Sequence, residues 1–345
     1  MKDRFLKACR REEVDCTPIW LMRQAGRYMP EFRKVREKHS LLTVCKTPDL
    51  ATEVTLQPLK RFDLDAAIIF ADILLPLEPM GIKLDFIKGE GPTIFNPISN
   101  QHDVEVLRPV DPQSDLGFVM KAISSVRKEI NIPLIGFAGA PFTLASYMIE
   151  GGHSRNYIKT KKMMYEAPEL WALLMEKLTK VLIDYLCAQA DAGANTLQIF
   201  DSWIGALSYR DYRKFIFPHM KVLFDGLKKT NVPVIHFGTG TASLLKIQRE
   251  AGGDVIGLDW RIPLDDGWKT VGHDIAIQGN LDPVTLFGPI SELEKQVDDI
   301  VMRAANRPGH IFNLGHGILP ETPQEHVEAL IEFVHKKTTL SSRTA

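Results

Sequence analysis

A single closed (β/α)8 barrel of the TIM type, spanning residues 1–345, is the fold class the sequence predicts, and three observations predict it. Eight short apolar, β-branched runs bounded by Gly, Pro or Asp read as strands buried on both faces. Amphipathic stretches lie between most of them, as at 167–192 and 209–229, and a helix at each connection makes the sheet parallel. Polar residues collect at or just after the runs, the face where barrels of this kind carry their active sites.

Taken in order, the first run, Thr17–Leu21, leads into Arg23 and not into a Gly-rich phosphate turn, which argues against an open doubly wound sheet. The second, Ala66–Phe70, is followed by Asp72. The segment Lys83–Asn96, with Gly89, Gly91 and Pro92, reads as a hairpin or loop insertion near the same rim, either decorating it or contributing to a pocket. Then come Pro133–Phe137, Thr196–Phe200 with Asp201 and Ser202 behind it, and Pro233–Phe237 carrying His236. The sequence G-T-G-T at 238–241 has no basic neighbour and reads as a tight turn, not a phosphate site. Val255–Leu258 precedes Asp259, Ile275–Gln278 precedes Asn280, and His310–Leu314 precedes His316. No linker or low-complexity block interrupts the series, so one domain is expected.

Composition narrows the function classes. With 42 basic and 43 acidic residues the net charge is -1, and no whole-protein field points to nucleic acid or an anionic membrane. Cys9, Cys16, Cys45 and Cys187 form neither a C-x-x-C pair nor a disulfide framework, which fits a reducing cytoplasm. The N-terminus lacks a signal-peptide apolar run, and no stretch reaches the roughly 18 apolar residues of a membrane span.

The segment from Pro18 to Arg33 reads P-I-W-L-M-R-Q-A-G-R-Y-M-P-E-F-R and sets Arg23, Arg27 and Arg33 directly after a buried strand. Arginine offers a rigid fork of donors matched to carboxylate and stays charged at any physiological pH. The cluster either pairs with acids such as Glu31 and Glu37 or binds an anionic ligand at the mouth.

The string R-Q-A-G-R-Y-x-P-E-[FY]-R resembles the N-terminal signature of the uroporphyrinogen decarboxylases. G-F-A-G-A-P-F-T-L-A-S-Y-M-I-E-G-G at 136–152 is similar to their second signature, and I-I-F-A-D-I-L at 68–74, F-D-S-W at 200–203 and N-L-G-H-G at 313–317 extend the resemblance over almost the whole chain. The departures are mild: Ala71 stands where serine is common and Met29 where leucine is usual. The resemblance implies a carboxy-lyase of haem biosynthesis that removes the four acetate carboxylates of uroporphyrinogen III, uses no metal or organic cofactor, and works as a cytoplasmic homodimer. It implies that Asp72 accepts hydrogen bonds from the pyrrole N–H groups and stabilises a protonated pyrrole. Arg23 and Arg27 would clamp carboxylates, and the proton would come from one of them or from a bound water. Gln24 would assist, Tyr147 and Ser202 would bond the substrate near the reacting acetate, and His316 would contact a carboxylate. Arg23, Arg27, Arg33 and His316 are then the expected cations against eight carboxylates, so several of those carboxylates face water or backbone N–H groups.

Two rival readings make other demands. A corrinoid-dependent methyltransferase on the same barrel would need a His-x-Cys zinc site, but Phe237 and Gly238 follow His236 and no cysteine occurs after Cys187. A tetrapyrrole-binding scaffold would have lost its charged strand-end residues, which are present here.

Overall fold

The computed structural model describes residues 2–87 and 91–339, so Gly89 of the predicted insertion lies outside the described residues. Numbered along the chain, the strands are β1 (Ala67–Ile68), β2 (Leu84–Ile87), β3 (Gly91–Ile94), β4 (Leu134–Gly139), β5 (Thr196–Asp201), β6 (Val234–Gly238), β7 (Val255–Gly257), β8 (Ala276–Gln278) and β9 (His310–Ile311). Seven of them form one curled parallel sheet in the order β1-β4-β5-β6-β7-β8-β9, while β2 and β3 pair antiparallel as a separate hairpin. Every residue of β6, β7 and β8 is buried, as expected of strands covered on both faces.

The helices form for local reasons. In Pro48–Arg61 proline opens the first turn with Asp49, and Lys60 and Arg61 close the last, matching the helix dipole at both ends. Ile290–Ala304 buries Leu293, Val297, Ile300 and Ala304, one stripe of an otherwise charged helix. Pro141–Glu150 is apolar nearly all round and ends at Gly151, whose φ of +88° is a helix stop that L residues rarely supply.

Three of the predicted strands are much shorter than the sequence suggested, while β7 and β8 each lose a single residue. The run Thr17–Leu21 makes a single parallel bridge, Ile19 to Phe312. Pro18 has no N–H, and the Ile19 N–H goes to the Asp65 carboxylate at 2.8 Å instead of to a neighbouring strand. β1 stops at Ile68 because Phe70 donates its N–H to Thr55 Oγ1. Beyond Ile311 the last run keeps only isolated bridges, at Phe312 and Leu314.

The helix Arg4–Cys9 packs Phe5, Leu6, Ala8 and Cys9 into the cluster that holds Trp20, Ile135, Ile235 and Ile311, towards the end of the sheet where the strands begin. Asp65 ties both chain ends to this base. Its carboxylate, 3% exposed, accepts from Arg4 Nη1 at 3.0 Å, the Ile19 N–H at 2.8 Å and His335 Nε2 at 2.8 Å. Asp65→Ala strands a buried N–H and an arginine, and is expected to cost roughly 3 kcal/mol in urea unfolding. Asp63→Ala, at a carboxylate 71% exposed, should change the midpoint little.

Candidate active site

A cavity of about 450 Å³ opens where the strands end, and Arg23, Arg27, Asp72, Tyr147, Ser202 and His316 line it. Six side chains that span nearly three hundred residues of sequence thus meet in one place.

The arginines stand on an irregular turn held together by buried polar side chains. Gln24 spends both ends of its amide on backbone, accepting from Leu21 N at 3.2 Å and donating to Ala66 O at 3.2 Å. Tyr28 returns its hydroxyl to Gln24 O at 2.6 Å, and Arg33 donates to the carbonyls of Arg27 at 2.9 Å and Tyr28 at 3.0 Å. Asn313, the first residue of N-L-G-H-G, accepts from Met22 N at 3.1 Å. At the apex Arg23 adopts a φ of +61°, a conformation that L residues seldom hold unless their surroundings impose it. Gln24 and Arg33, expected among the ligand-binding groups, therefore build the turn and do not face the cavity.

Asp72 follows β1 and accepts the Leu74 N–H on Oδ1 at 2.9 Å, which orients the carboxyl and leaves Oδ2 for the cavity. Burial among Ile68, Phe70 and Leu74 pushes its pKa up to about 6, while the Leu74 hydrogen bond and the Arg23 charge pull the other way. On the helix Pro141–Glu150, Thr143 donates to Asp201 Oδ1 at 3.0 Å and accepts from Trp203 N at 3.3 Å. Tyr147, one turn later, stacks on Trp203 with centroids 3.9 Å apart. Burial, then the Asp72 charge, raises the Tyr147 phenol well above its usual value, so it remains a hydroxyl donor. Ser202 sits between these anchors.

His316 is not the cation that the sequence suggested. Burial first, then the Arg23 and Arg261 charges, hold its pKa down to about 4 against the opposing pull of Asp259. Its Nδ1 accepts the Gly317 N–H at 2.8 Å, so the proton of the neutral ring belongs on Nε2, which becomes a donor.

Other polar strand-end residues turn away from the cavity. His236 packs against the ring of Phe224 in the helix layer, with centroids 4.8 Å apart, and burial lowers its pKa to about 4. Asp201 is wholly buried against Thr143. Asp259 accepts the Gly240 N–H at 2.6 Å and pairs with Arg261, so the carboxylate fills the turn at 238–241 from within. Asn280 donates to the carbonyls of Asp259 and Ile262.

An apolar floor, which no charged residue of the sequence marks, closes the cavity from below. Phe137, Phe200 and Phe237 end three successive predicted runs and pack edge to face, at 5.4 and 6.0 Å, beneath the polar groups. Their repetition at the last position of each run was the available signal. Phe86 and Pro92 of the β2–β3 hairpin close one side, so the insertion does contribute to the cavity. Among the described residues no three His, Cys, Asp or Glu side chains cluster as metal ligands.

The family model described as uroporphyrinogen decarboxylase (URO-D) matches residues 1–337. A curated uroporphyrinogen decarboxylase of Carboxydothermus hydrogenoformans is 55% identical over 343 residues, covering 99% of this chain and 98% of that one. Another, of Sorangium cellulosum, is 56% identical over 337 residues, covering 97% and 96%. Among solved structures, a methyltransferase from Methanosarcina mazei superposes with a TM-score of 0.82 over 97% of this chain and 98% of that one; at 19% identity it shows a shared fold. A family match that starts at the first residue and leaves only eight unmatched at the end, joined to relatives more than half identical across nearly all of the chain, shows that it belongs to the uroporphyrinogen decarboxylase family.

Proposed function

We propose that the chain converts uroporphyrinogen III to coproporphyrinogen III, releasing four acetate carboxylates as carbon dioxide. One observation carries the reading: a single cavity is lined by a carboxyl, Asp72, by two arginines, Arg23 and Arg27, and by the phenylalanines of an apolar floor. A carboxylate and cations around one apolar cavity suit a macrocycle whose N–H groups point inward and whose carboxylates point outward.

In this scheme the pyrrole N–H groups donate to Oδ2 of Asp72. A proton enters a pyrrole α-carbon, supplied by an arginine or by a bound water. The ring is now a cation, and the carboxylate beside it stabilises that charge more than it did the neutral ground state, which is how it accelerates the step. The bond from the acetate methylene to its carboxylate breaks, the electron pair flows into the ring and carbon dioxide leaves. The exocyclic carbon takes up a proton and the α-carbon returns its own, so each acetate becomes a methyl for one proton consumed. Arg23 and Arg27 hold carboxylates, Tyr147 and Ser202 donate near the reacting acetate, and His316 donates from Nε2 as a neutral ring.

The same reading takes residues 1–345 as one closed eight-stranded barrel, with Thr17–Leu21 as the stave between β9 and β1. Support comes from Phe312 N donating to Pro18 O at 2.8 Å on one side and Asp65 N to Ile19 O at 2.9 Å on the other. Trp20 Nε1 also reaches Gln278 of β8 at 2.9 Å. The reading also takes the chain as a cytoplasmic homodimer, by likeness to the family, without nucleic-acid or membrane partners, in keeping with the near-zero net charge; among the described residues no helix is long and apolar enough to cross a membrane.

Anaerobic turnover of uroporphyrinogen III by metal-stripped protein tests the proposal. The expected result is stepwise appearance of hepta-, hexa-, penta- and tetracarboxylate products with nothing added. Turnover only with zinc and a thiol, or none at all, overturns it.

A further inference from the structure

Two cationic side chains, Arg23 and Arg27, face the cavity; His316 is neutral there and Arg33 is spent on the turn beneath. Against a substrate with eight carboxylates this leaves the outer part of the macrocycle without cationic partners, and one structural feature answers that shortfall. Behind β7 the chain carries Trp260 and Arg261 to the rim beside His316. Gly315 allows the approach: a Cβ there would stand 2.4 Å from Trp260 N. The Trp260 and His316 rings meet edge on, with centroids 6.5 Å apart.

The Arg261 guanidinium lies over the Trp260 ring, its Cζ 4.0 Å from the centroid, and pairs through one Nη with Asp259. Asp259 is itself 1% exposed and also bonds the N–H groups of Gly240 and Arg261, so it is a fixed anchor. The arginine side chain is 50% exposed, and among the described residues no other acceptor engages its guanidinium. Of five N–H donors most therefore remain for solvent or a ligand. Stacking and pairing have already removed much of the rotamer freedom that binding would otherwise cost, and a flat fork is the geometry that grips a carboxylate with two hydrogen bonds.

We propose that Arg261 is an outer carboxylate subsite that holds a propionate of a pyrrole ring other than the one over Asp72. The inference rests on the substrate reading above. A propionate is the fitting group because every pyrrole keeps its propionate through all four decarboxylations, so a contact remote from Asp72 serves each step alike. Such a contact binds the ground state and the transition state equally, and it appears in KM and not in kcat.

Anaerobic steady-state kinetics of the full chain, with the octacarboxylate and the isolated heptacarboxylate as separate substrates, test this in Arg261→Gln and Arg261→Lys. KM is expected to rise about tenfold for both substrates in Arg261→Gln, with kcat within roughly twofold, the loss expected for one charge-assisted contact. Arg261→Lys should recover only part of it, because a point charge neither stacks flat nor forks. Thermal unfolding of both variants separates binding from folding: a KM rise in a variant that melts like the wild type supports the subsite. An unchanged KM, a fall in kcat at constant KM, or a KM rise confined to the octacarboxylate overturns it. If the wild type turns over and the variants match it, only the subsite falls; if the wild type is inert towards uroporphyrinogen, the substrate reading falls and the subsite with it.

Discussion

Asp72→Asn is expected to lower kcat/KM for uroporphyrinogen on the order of 10³-fold, the scale seen when a preorganised charge facing a transition state is removed. It should also make the substrate-free protein more stable at neutral pH. The carboxyl is raised from 3.8 to about 6 because burial penalises its charged form. Between those two values the native state therefore holds more protons than the unfolded chain, and stability falls as pH rises through the window. Below about pH 4 the group is neutral in both states and the penalty is absent; above about pH 6 it is fully present. The gap corresponds to an upper bound of roughly 3 kcal/mol, reduced where water reaches the mouth. Urea unfolding at pH 8 should show Asp72→Asn more stable than the wild type by roughly 2 kcal/mol, and the two proteins should converge near pH 4. In the wild type the acid limb of kcat/KM should fall near pH 6, because the protonated carboxyl loses its attraction for the cationic ring. A variant equally active would remove Asp72 from the centre of the chemistry, and one less stable than the wild type at pH 8 would remove the burial penalty on its charge.

Gly317→Ala is expected to cost roughly 10²-fold in kcat/KM without touching a reacting group, the scale of misplacing a positioned side chain by about 1 Å. A Cβ at this position would stand 2.4 Å from Arg23 Cδ and 2.6 Å from Cγ, too close for any real contact. The collision falls on the stem of Arg23, whose backbone is held at a φ of +61° by the turn built on Gln24, Arg33 and Asn313, so the guanidinium is the part that moves. Gly317→Ala should be almost silent in an Arg23→Ala background, since neighbours that act through one group do not add. Full additivity of the two changes would show that Gly317 acts through something else. Thermal unfolding of the single variant should move little, because the displaced side chain is exposed.

The fold was legible in the sequence because parallel strands covered on both faces must be apolar throughout, and β4 to β8 announce themselves that way. The first and last runs read as strands for the same reason, yet the N–H groups of Thr17, Ile19, Leu21 and Leu314 go to side chains. Hydrophobicity records burial, whereas the destination of an N–H depends on neighbours far along the chain, as with Ile19 and Asp65. The site was legible in type, through Arg23, Arg27, Asp72, Tyr147, Ser202 and His316.

By itself the sequence determined the parallel α/β class, the family signatures, and the polar residues that had to lie near strand ends. Tertiary structure alone decided which of them share one cavity. Gln24, Arg33, Asp201, His236 and Asn280 have the same chemistry as their neighbours but turn into the turn, the barrel wall or the helix layer, because a side chain's direction follows from local backbone geometry that a one-residue step reverses. Charge state was decided there too: the same burial that brings His316 to the cavity keeps it neutral, and that around Asp72 raises a carboxyl to the edge of its working range.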